Sequence, residues 1–165
     1  MTKPEFTIDI FIQSDEYHWG DETTSIRTIL GSCVAICLWH PGKKLGGMCH
    51  CLLPVRGNPR ENSALSARYV DESLLLFKEE IKNAGLRTID FTAKLYGGSN
   101  MFSKFESGDL MKVGERNIAE AKKGLESMGI KIIFEDVGGT KPRSLRFDLW
   151  DGETYIRQTK EADHG

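Results

Sequence analysis

The sequence predicts a single α+β domain. Alternating, strand-like runs open and close the chain, and two stretches carry apolar residues at helical spacing. Their order is strands, helix, strand, helix, strands, with no internal repeat or linker, which implies a sheet covered by helices. The 165 residues fit one domain, 1–165, with enough chain for a core, and the tails 1–5 and 159–165 are expected to fray.

Phe6 to Gln13 alternates, with Phe6, Ile8, Ile10 and Ile12 on one side, and reads as a half-buried strand. Ser14 to Ser25 is polar, contains Gly20 and reads as a loop, whose Tyr17, His18 and Trp19 either rim a site or pack locally. Ile26 to Leu30 leads into a hairpin. Val34 to Trp39 is the continuous apolar run of a buried strand, Pro41-Gly42-Lys43-Lys44 is a turn, and Leu45 to Leu53 returns as a second strand closed by Pro54. Val55 to Asn62 is a loop.

Ala67, Val70, Leu74, Phe77, Ile81 and Ala84 form the stripe of an amphipathic helix that Gly85 stops. Arg87 to Tyr96 alternates again, with Ile89, Phe91, Ala93 and Leu95 facing one way, and Gly97-Gly98 breaks it. Ser99 to Gly108 reads as a loop or short strand that tucks Met101, Phe102 and Phe105 under the fold. A second helix runs from Gly114 to Met128 on the stripe Ile118, Ala121, Leu125 and Met128, and ends at Gly129. Glu115 suits its dipole, and Asn117 either orients the chain or is a solvated amide. Ile130 to Val137 and Arg143 to Trp150 read as strands, and Asp151-Gly152 as the hairpin turn into Thr154 to Gln158.

The hairpin holds all four cysteines in or beside it. An even-length turn centred between Gly42 and Lys43 pairs Cys33 with Leu52, Ala35 with His50 and Cys37 with Met48. Alternation then puts all six on one face, with Cys33 and His50 diagonal neighbours about 7 Å apart. An odd loop or a bulge breaks that register. A thiol beside an imidazole is a nucleophile–base pair, because the imidazole takes the thiol's proton and returns it to a leaving group. A bend at Gly31 and Ser32 would leave backbone N–H groups to hold an oxyanion. Two other readings stand beside this one. Cys33 can be a small apolar core residue. Alternatively Cys33, Cys37, Cys49 and Cys51 can form a redox or metal sensor, although Cys49, His50 and Cys51 point to alternate faces of a strand and do not readily converge on one ion. His40, beside the turn, is given no role.

The net charge of −2 offers no basic field for nucleic acid. No apolar run is long enough to span a membrane, and Met1 to Phe6 lacks a signal-peptide core. Clustered cysteines without a disulfide-framework spacing fit a reducing cytoplasm. No cofactor and no metal are expected.

Leu30-Gly31-Ser32-Cys33-Val34-Ala35 and Gly47-Met48-Cys49-His50-Cys51-Leu52-Leu53-Pro54 together resemble the CheD family of chemoreceptor glutamine deamidases. The likeness continues through Lys94 to Phe102, Val113 to Ile118, Glu135 to Gly139 and Arg143 to Phe147, and covers about Ile8 to Ile156. The resemblance implies a layered β-sandwich with helices packed on the outside. It implies a cysteine hydrolase that converts glutamine side chains of methyl-accepting chemotaxis receptors to glutamate with release of ammonia, and that also cleaves glutamate methyl esters through the same thioester. Cys33 maps to the nucleophile and His50 to the base. The third triad member maps best to Thr28; counting from members with one more residue in between lands on Arg27, which cannot accept a hydrogen bond. Gly31 and Ser32, with Gly97, Gly98 and Ser99, are expected to line the oxyanion and substrate site. The implied partners are receptor cytoplasmic domains and, for many relatives, the CheC phosphatase. The competing reading is a non-catalytic chemotaxis adaptor that docks on receptors or on CheC.

Overall fold

The computed structural model describes residues 2–58, 63–101 and 112–159. Nine strands and two helices are assigned within them: β1 Ile8–Phe11, β2 Tyr17–Gly20, β3 Thr24–Leu30, β4 Val34–His40, β5 Leu45–Cys51, α1 Val70–Asn83, β6 Thr92–Gly97, α2 Val113–Ser127, β7 Lys131–Val137, β8 Arg143–Asp148 and β9 Thr154–Gln158. The strands form a four-stranded sheet, β1-β3-β8-β9, and a five-stranded sheet, β2-β5-β4-β6-β7.

Two cores make three layers. Ile26, Leu30, Ala35, Met48, Leu145 and Phe147 pack between the sheets. Val34, Ile36, Leu38, Leu74, Phe77 and Leu125 pack between the five-stranded sheet and the helices. β4 feeds both cores from alternate positions, so its sequence is apolar throughout rather than alternating. The expected sandwich with helices outside is therefore the observed architecture, with both helices on the outer face of one sheet.

The β4–β5 hairpin has the register that an even turn requires: Ala35 faces His50 and Cys37 faces Met48. Its four-residue turn closes with Lys44 N–H donating to His40 O at 2.7 Å. Gly46 admits no side chain, since a Cβ there would lie 1.9 Å from Leu38 O, which lets β5 lie close against β4.

The structure corrects several sequence expectations. The polar stretch after Ser14 contains β2, which pairs antiparallel with β5, Tyr17 opposite Cys49 and Trp19 opposite Gly47. Its pattern hides it because an edge strand is held by its ladder and by two aromatic rings. Tyr17 meets Phe77 edge-on and Trp19 meets it tilted, with centroids 5.8 and 5.9 Å apart, so they pack locally. Phe6 and Ile8 are exposed, and only Ile12 of that run is fully buried, because β1 lies at the edge of its sheet. The run from Arg87 starts as a 3-10 turn at Thr88–Asp90 and becomes strand only at Thr92, which leaves Ile89 in solvent. α1 begins at Val70, with Ala67 buried ahead of it and Ala84 exposed beyond it. Gly85 and Gly129 sit just past the helix ends at φ of 72° and 71°, as the stop signals require. Phe102, Phe105 and residues 160–165 lie outside the described residues, while Thr159 N–H is tied to Pro142 O at 3.0 Å.

Candidate active site

Cys33 immediately precedes β4, and His50 is the penultimate residue of β5. Alternation turns Ala35, and with it Cys33, toward the space between the sheets, where Cys33 packs against the inter-sheet core. His50, paired with Ala35, points into the same space and meets Thr28 of β3 from the opposite sheet. On β3, Ile26, Thr28 and Leu30 are buried while Arg27 and Ile29 are exposed. Arg27 therefore faces away from the imidazole and Thr28 toward it.

The Thr28–His50 contact fixes the chemistry of the ring. Thr28 Oγ1 lies 2.7 Å from His50 Nδ1 and 2.8 Å from Ile12 O. A carbonyl only accepts, so the single hydroxyl proton goes to Ile12 O. The oxygen must then accept from Nδ1–H, which leaves Nε2 as the free lone pair. Thr28 is 1 % exposed and His50 5 % exposed, so water offers neither a substitute partner.

His50 is also held through its backbone, since its N–H donates to Glu16 O at 3.0 Å and its carbonyl accepts from Asp15 N–H at 2.9 Å. Asp15 reaches this position in the left-handed region, at φ 72°. The turn brings in two residues that the sequence reading passed over as loop. The Ser14 hydroxyl lies 3.1 Å from Asp15 Oδ1 and against the Cys33 thiol, so its one proton serves either the carboxylate or the sulfur, and Asp15 pairs with Arg68 at 3.4 Å. Burial pushes the Cys33 thiol above its ordinary value, a hydrogen bond from Ser14 pulls it down, and the Asp15 carboxylate pushes it up. Burial holds the His50 imidazole below its ordinary value, and the charges of Asp15 and Glu16 draw it up. Burial thus favours a neutral thiol at Cys33 and a neutral imidazole at His50 in the resting protein. No direct bond joins Sγ to the ring among the described residues; such bonds commonly tighten only with substrate in place.

The loop that carries Cys33 is pinned through its carbonyls. Ser99 N–H donates to Gly31 O at 3.0 Å, and Gly98 N–H to Cys33 O at 2.8 Å. These two amides are engaged in holding the loop, so Gly98 and Ser99 do not offer their N–H groups to an oxyanion. Gly97 permits the approach: a Cβ on it would stand 2.3 Å from Cys33 O, and its φ is 102°. Ser99 is fully buried, its hydroxyl donating to Lys141 O at 2.7 Å and accepting from the Arg143 guanidinium at 2.8 Å. Among the described residues, Ser32 and Cys33 donate their N–H groups to no backbone carbonyl, so that pair remains available.

Cys49 and Cys51 face the helices, their sulfurs 3.5 Å apart and Cys51 Sγ 3.2 Å from Ser73 Oγ, while His50 faces the other way. All four cysteines are free thiols. Asn117 is fully buried in α2, so it is no solvated amide. The signal for it was in the sequence, because Gly114, Asn117, Ala121 and Leu125 form the buried stripe of that helix, where an amide is out of place. The large groove of about 610 Å³ that includes Arg27, Arg146 and Tyr155 lies on the outer face of the four-stranded sheet, away from Cys33 and His50.

The family described as CheD, chemotactic sensory transduction, matches residues 52–158. Over 154 residues the chain is 44 % identical to the probable chemoreceptor glutamine deamidase CheD 1 of Chromobacterium violaceum, covering 93 % of this chain and 79 % of that one. It is 41 % identical over 155 residues to the probable chemoreceptor glutamine deamidase CheD 3 of Dechloromonas aromatica, covering 94 % and 90 %. It is 37 % identical over 168 residues to the probable chemoreceptor glutamine deamidase CheD 1 of Leptospira interrogans, covering 98 % and 99 %.

Proposed function

The chain belongs to the CheD family, and on that basis we propose that it is a hydrolase that deamidates glutamine side chains of chemoreceptors with Cys33, His50 and Thr28. The observation that carries the catalytic assignment is the Thr28–His50 contact, in which a hydroxyl whose own proton is committed elsewhere holds the imidazole with its free nitrogen available.

As Cys33 Sγ forms a bond to the carboxamide carbon, its proton passes to His50 Nε2. The C=O electron pair moves onto oxygen, where the Ser32 and Cys33 N–H groups stabilise it. The oxyanion collapses, the C–N bond breaks, and Nε2–H delivers its proton to the departing nitrogen. Ammonia leaves and a thioester remains. This proton delivery is required because an amide anion is a very poor leaving group. Water then attacks the thioester carbon and gives a proton to Nε2; as the C–S bond breaks, Nε2–H returns that proton to Sγ, and glutamate is released with the Cys33 thiol restored. Thr28 holds Nδ1–H throughout and stabilises the imidazolium. Hydrolysis of a glutamate methyl ester passes through the same thioester, with methanol as the leaving group.

The substrate glutamine is presented by a receptor's cytoplasmic domain, and the four free thiols suit that reducing compartment. Binding of the CheC phosphatase is a further part of this reading, tested by co-elution of the two proteins.

The deciding experiment incubates the protein with receptor cytoplasmic domains and reads amide-to-acid conversion at individual glutamines by mass spectrometry. The wild type is expected to convert specific glutamines, and Cys33→Ala and His50→Ala none. Conversion that survives Cys33→Ala overturns the nucleophile assignment.

A further inference from the structure

We propose that Asn117 is a positioning residue that aims the Cys33 N–H at the oxyanion. The inference rests on the deamidase reading above and adds to it the device that sets one half of the oxyanion site.

The Asn117 side-chain amide donates to Ser32 O at 3.2 Å and to Leu52 O at 3.1 Å. Both partners are carbonyls, so the group facing them must be the NH₂, and the orientation of the amide is settled by its contacts. Its Oδ1 is buried with no hydrogen-bond partner among the described residues. A buried acceptor left unpaired is costly, and a small apolar residue at this core-facing position would avoid the cost. What the fold obtains in return is the pair of N–H bonds.

A trans peptide is planar, with its C=O and N–H pointing in opposite directions. Holding a carbonyl therefore aims the N–H of the next residue. Three successive carbonyls at the nucleophile are held in this way. Gly31 O is held by Ser99 N–H, which sets Ser32 N–H, and Cys33 O is held by Gly98 N–H. Both of those pins are backbone groups that any sequence of the same fold keeps. The Ser32 carbonyl between them is held by a side chain, and that carbonyl belongs to the peptide carrying Cys33 N–H. Rotation of this one peptide plane would turn a catalytic donor away while leaving Sγ and His50 close to where they are.

The remaining contact ties the same amide to the end of the β5 segment. Leu52 follows His50 and Cys51 closely, so one NH₂ group fastens both the nucleophile's loop and the base's strand to α2. The helix comes near enough because Gly114 and Gly98 meet without side chains: a Cβ on Gly114 would lie 2.4 Å from Gly98 O.

The test separates oxyanion support from nucleophile placement. Asn117→Ala removes the donor, and Asn117→Asp keeps the shape but turns an acceptor on two carbonyls. Two rates are read in each folded variant: deamidation of a receptor fragment, and alkylation of Cys33 by iodoacetamide, which attacks a saturated carbon and forms no oxyanion. We expect kcat to fall about ten- to a hundredfold, below the loss from deleting an oxyanion donor outright, with KM near wild type and alkylation within about threefold. Alkylation that falls in step with kcat, or a kcat that holds, overturns the inference. If neither variant folds, isotope-labelled wild type decides the matter. On forming a hemithioacetal with a peptide carrying the aldehyde analogue of glutamine, its Cys33 amide proton should move strongly downfield, and an unmoved signal overturns the inference. A wild type inactive on receptor domains sinks the deamidase reading itself, whereas an active wild type with active Asn117 variants sinks only this inference.

Discussion

Replacing Thr28 with valine keeps the side chain's shape and deletes its oxygen. The structure sets the size of the effect. Thr28, His50 and Ile12 are 1 %, 5 % and 3 % exposed, so neither partner of the lost hydroxyl recovers a water. An orphaned buried polar group costs about 1–3 kcal/mol. With two groups orphaned, and the extra methyl of valine offsetting part of the loss, the expected destabilisation is about 2 kcal/mol, a fall in Tm of about 4–8 °C for a chain of this size. Catalysis suffers separately. Without an acceptor for Nδ1–H, the neutral ring is no longer held in the tautomer that presents Nε2. Loss of about 1.4–2.8 kcal/mol of that bias and of imidazolium stabilisation lowers kcat about ten- to a hundredfold. The assay is deamidation of a receptor cytoplasmic domain followed by mass spectrometry, at a temperature where circular dichroism shows the variant folded. Thr28→Ser keeps the oxygen and should stay within about threefold of wild type. A folded Thr28→Val with kcat within about twofold of wild type would refute the triad role.

Alkylation of the free protein by iodoacetamide reports Cys33, because Cys37, Cys49 and Cys51 are at most 1 % exposed. Burial raises the Cys33 thiol, so its rate should keep climbing above pH of about 8.5, the ordinary thiol value. Ser14→Ala should move the midpoint up and Asp15→Asn should move it down, since the first favours the thiolate and the second opposes it. A plateau already reached below neutral pH would show a preformed thiolate–imidazolium pair and contradict the neutral resting state. Gly97→Ala forces a Cβ to 2.3 Å from Cys33 O at a φ of 102°, so deamidation and alkylation should fall together, unlike in the Asn117 variants. Its strain of about 1–3 kcal/mol should also lower Tm by several degrees in a thermal melt. Unchanged alkylation in Gly97→Ala would show that this contact does not place the nucleophile.

The features legible in the sequence are those set by near neighbours. The β4–β5 register follows from an even turn and alternation, and it alone put Ala35 opposite His50. The stripe of α1 and its glycine stop are equally local, whereas β8 ends at Asp148 and its turn spans Leu149 to Gly152, so the expected strand end at Trp150 and turn start at Asp151 fall two residues late. β2 is hidden in the sequence because an edge strand with one ladder and two rings packed on Phe77 needs no alternating apolar pattern. Ile89 was misplaced because alternation cannot tell the first residues of a strand from a 3-10 turn with the same composition.

The site divides in the same way. By itself the sequence determined that a thiol and an imidazole share one face of one hairpin, because covalent connectivity and the two-residue period of a strand allow little else. Only the tertiary structure decided that Thr28 rather than Arg27 meets the imidazole, that Ser14 and Asp15 fold over the thiol, and that Asn117 reaches Ser32 from a distant helix. Those contacts cross from one sheet to the other or from helix to loop. Their geometry is set by how the layers dock, and docking is driven by apolar burial that is indifferent to which polar atoms it brings face to face.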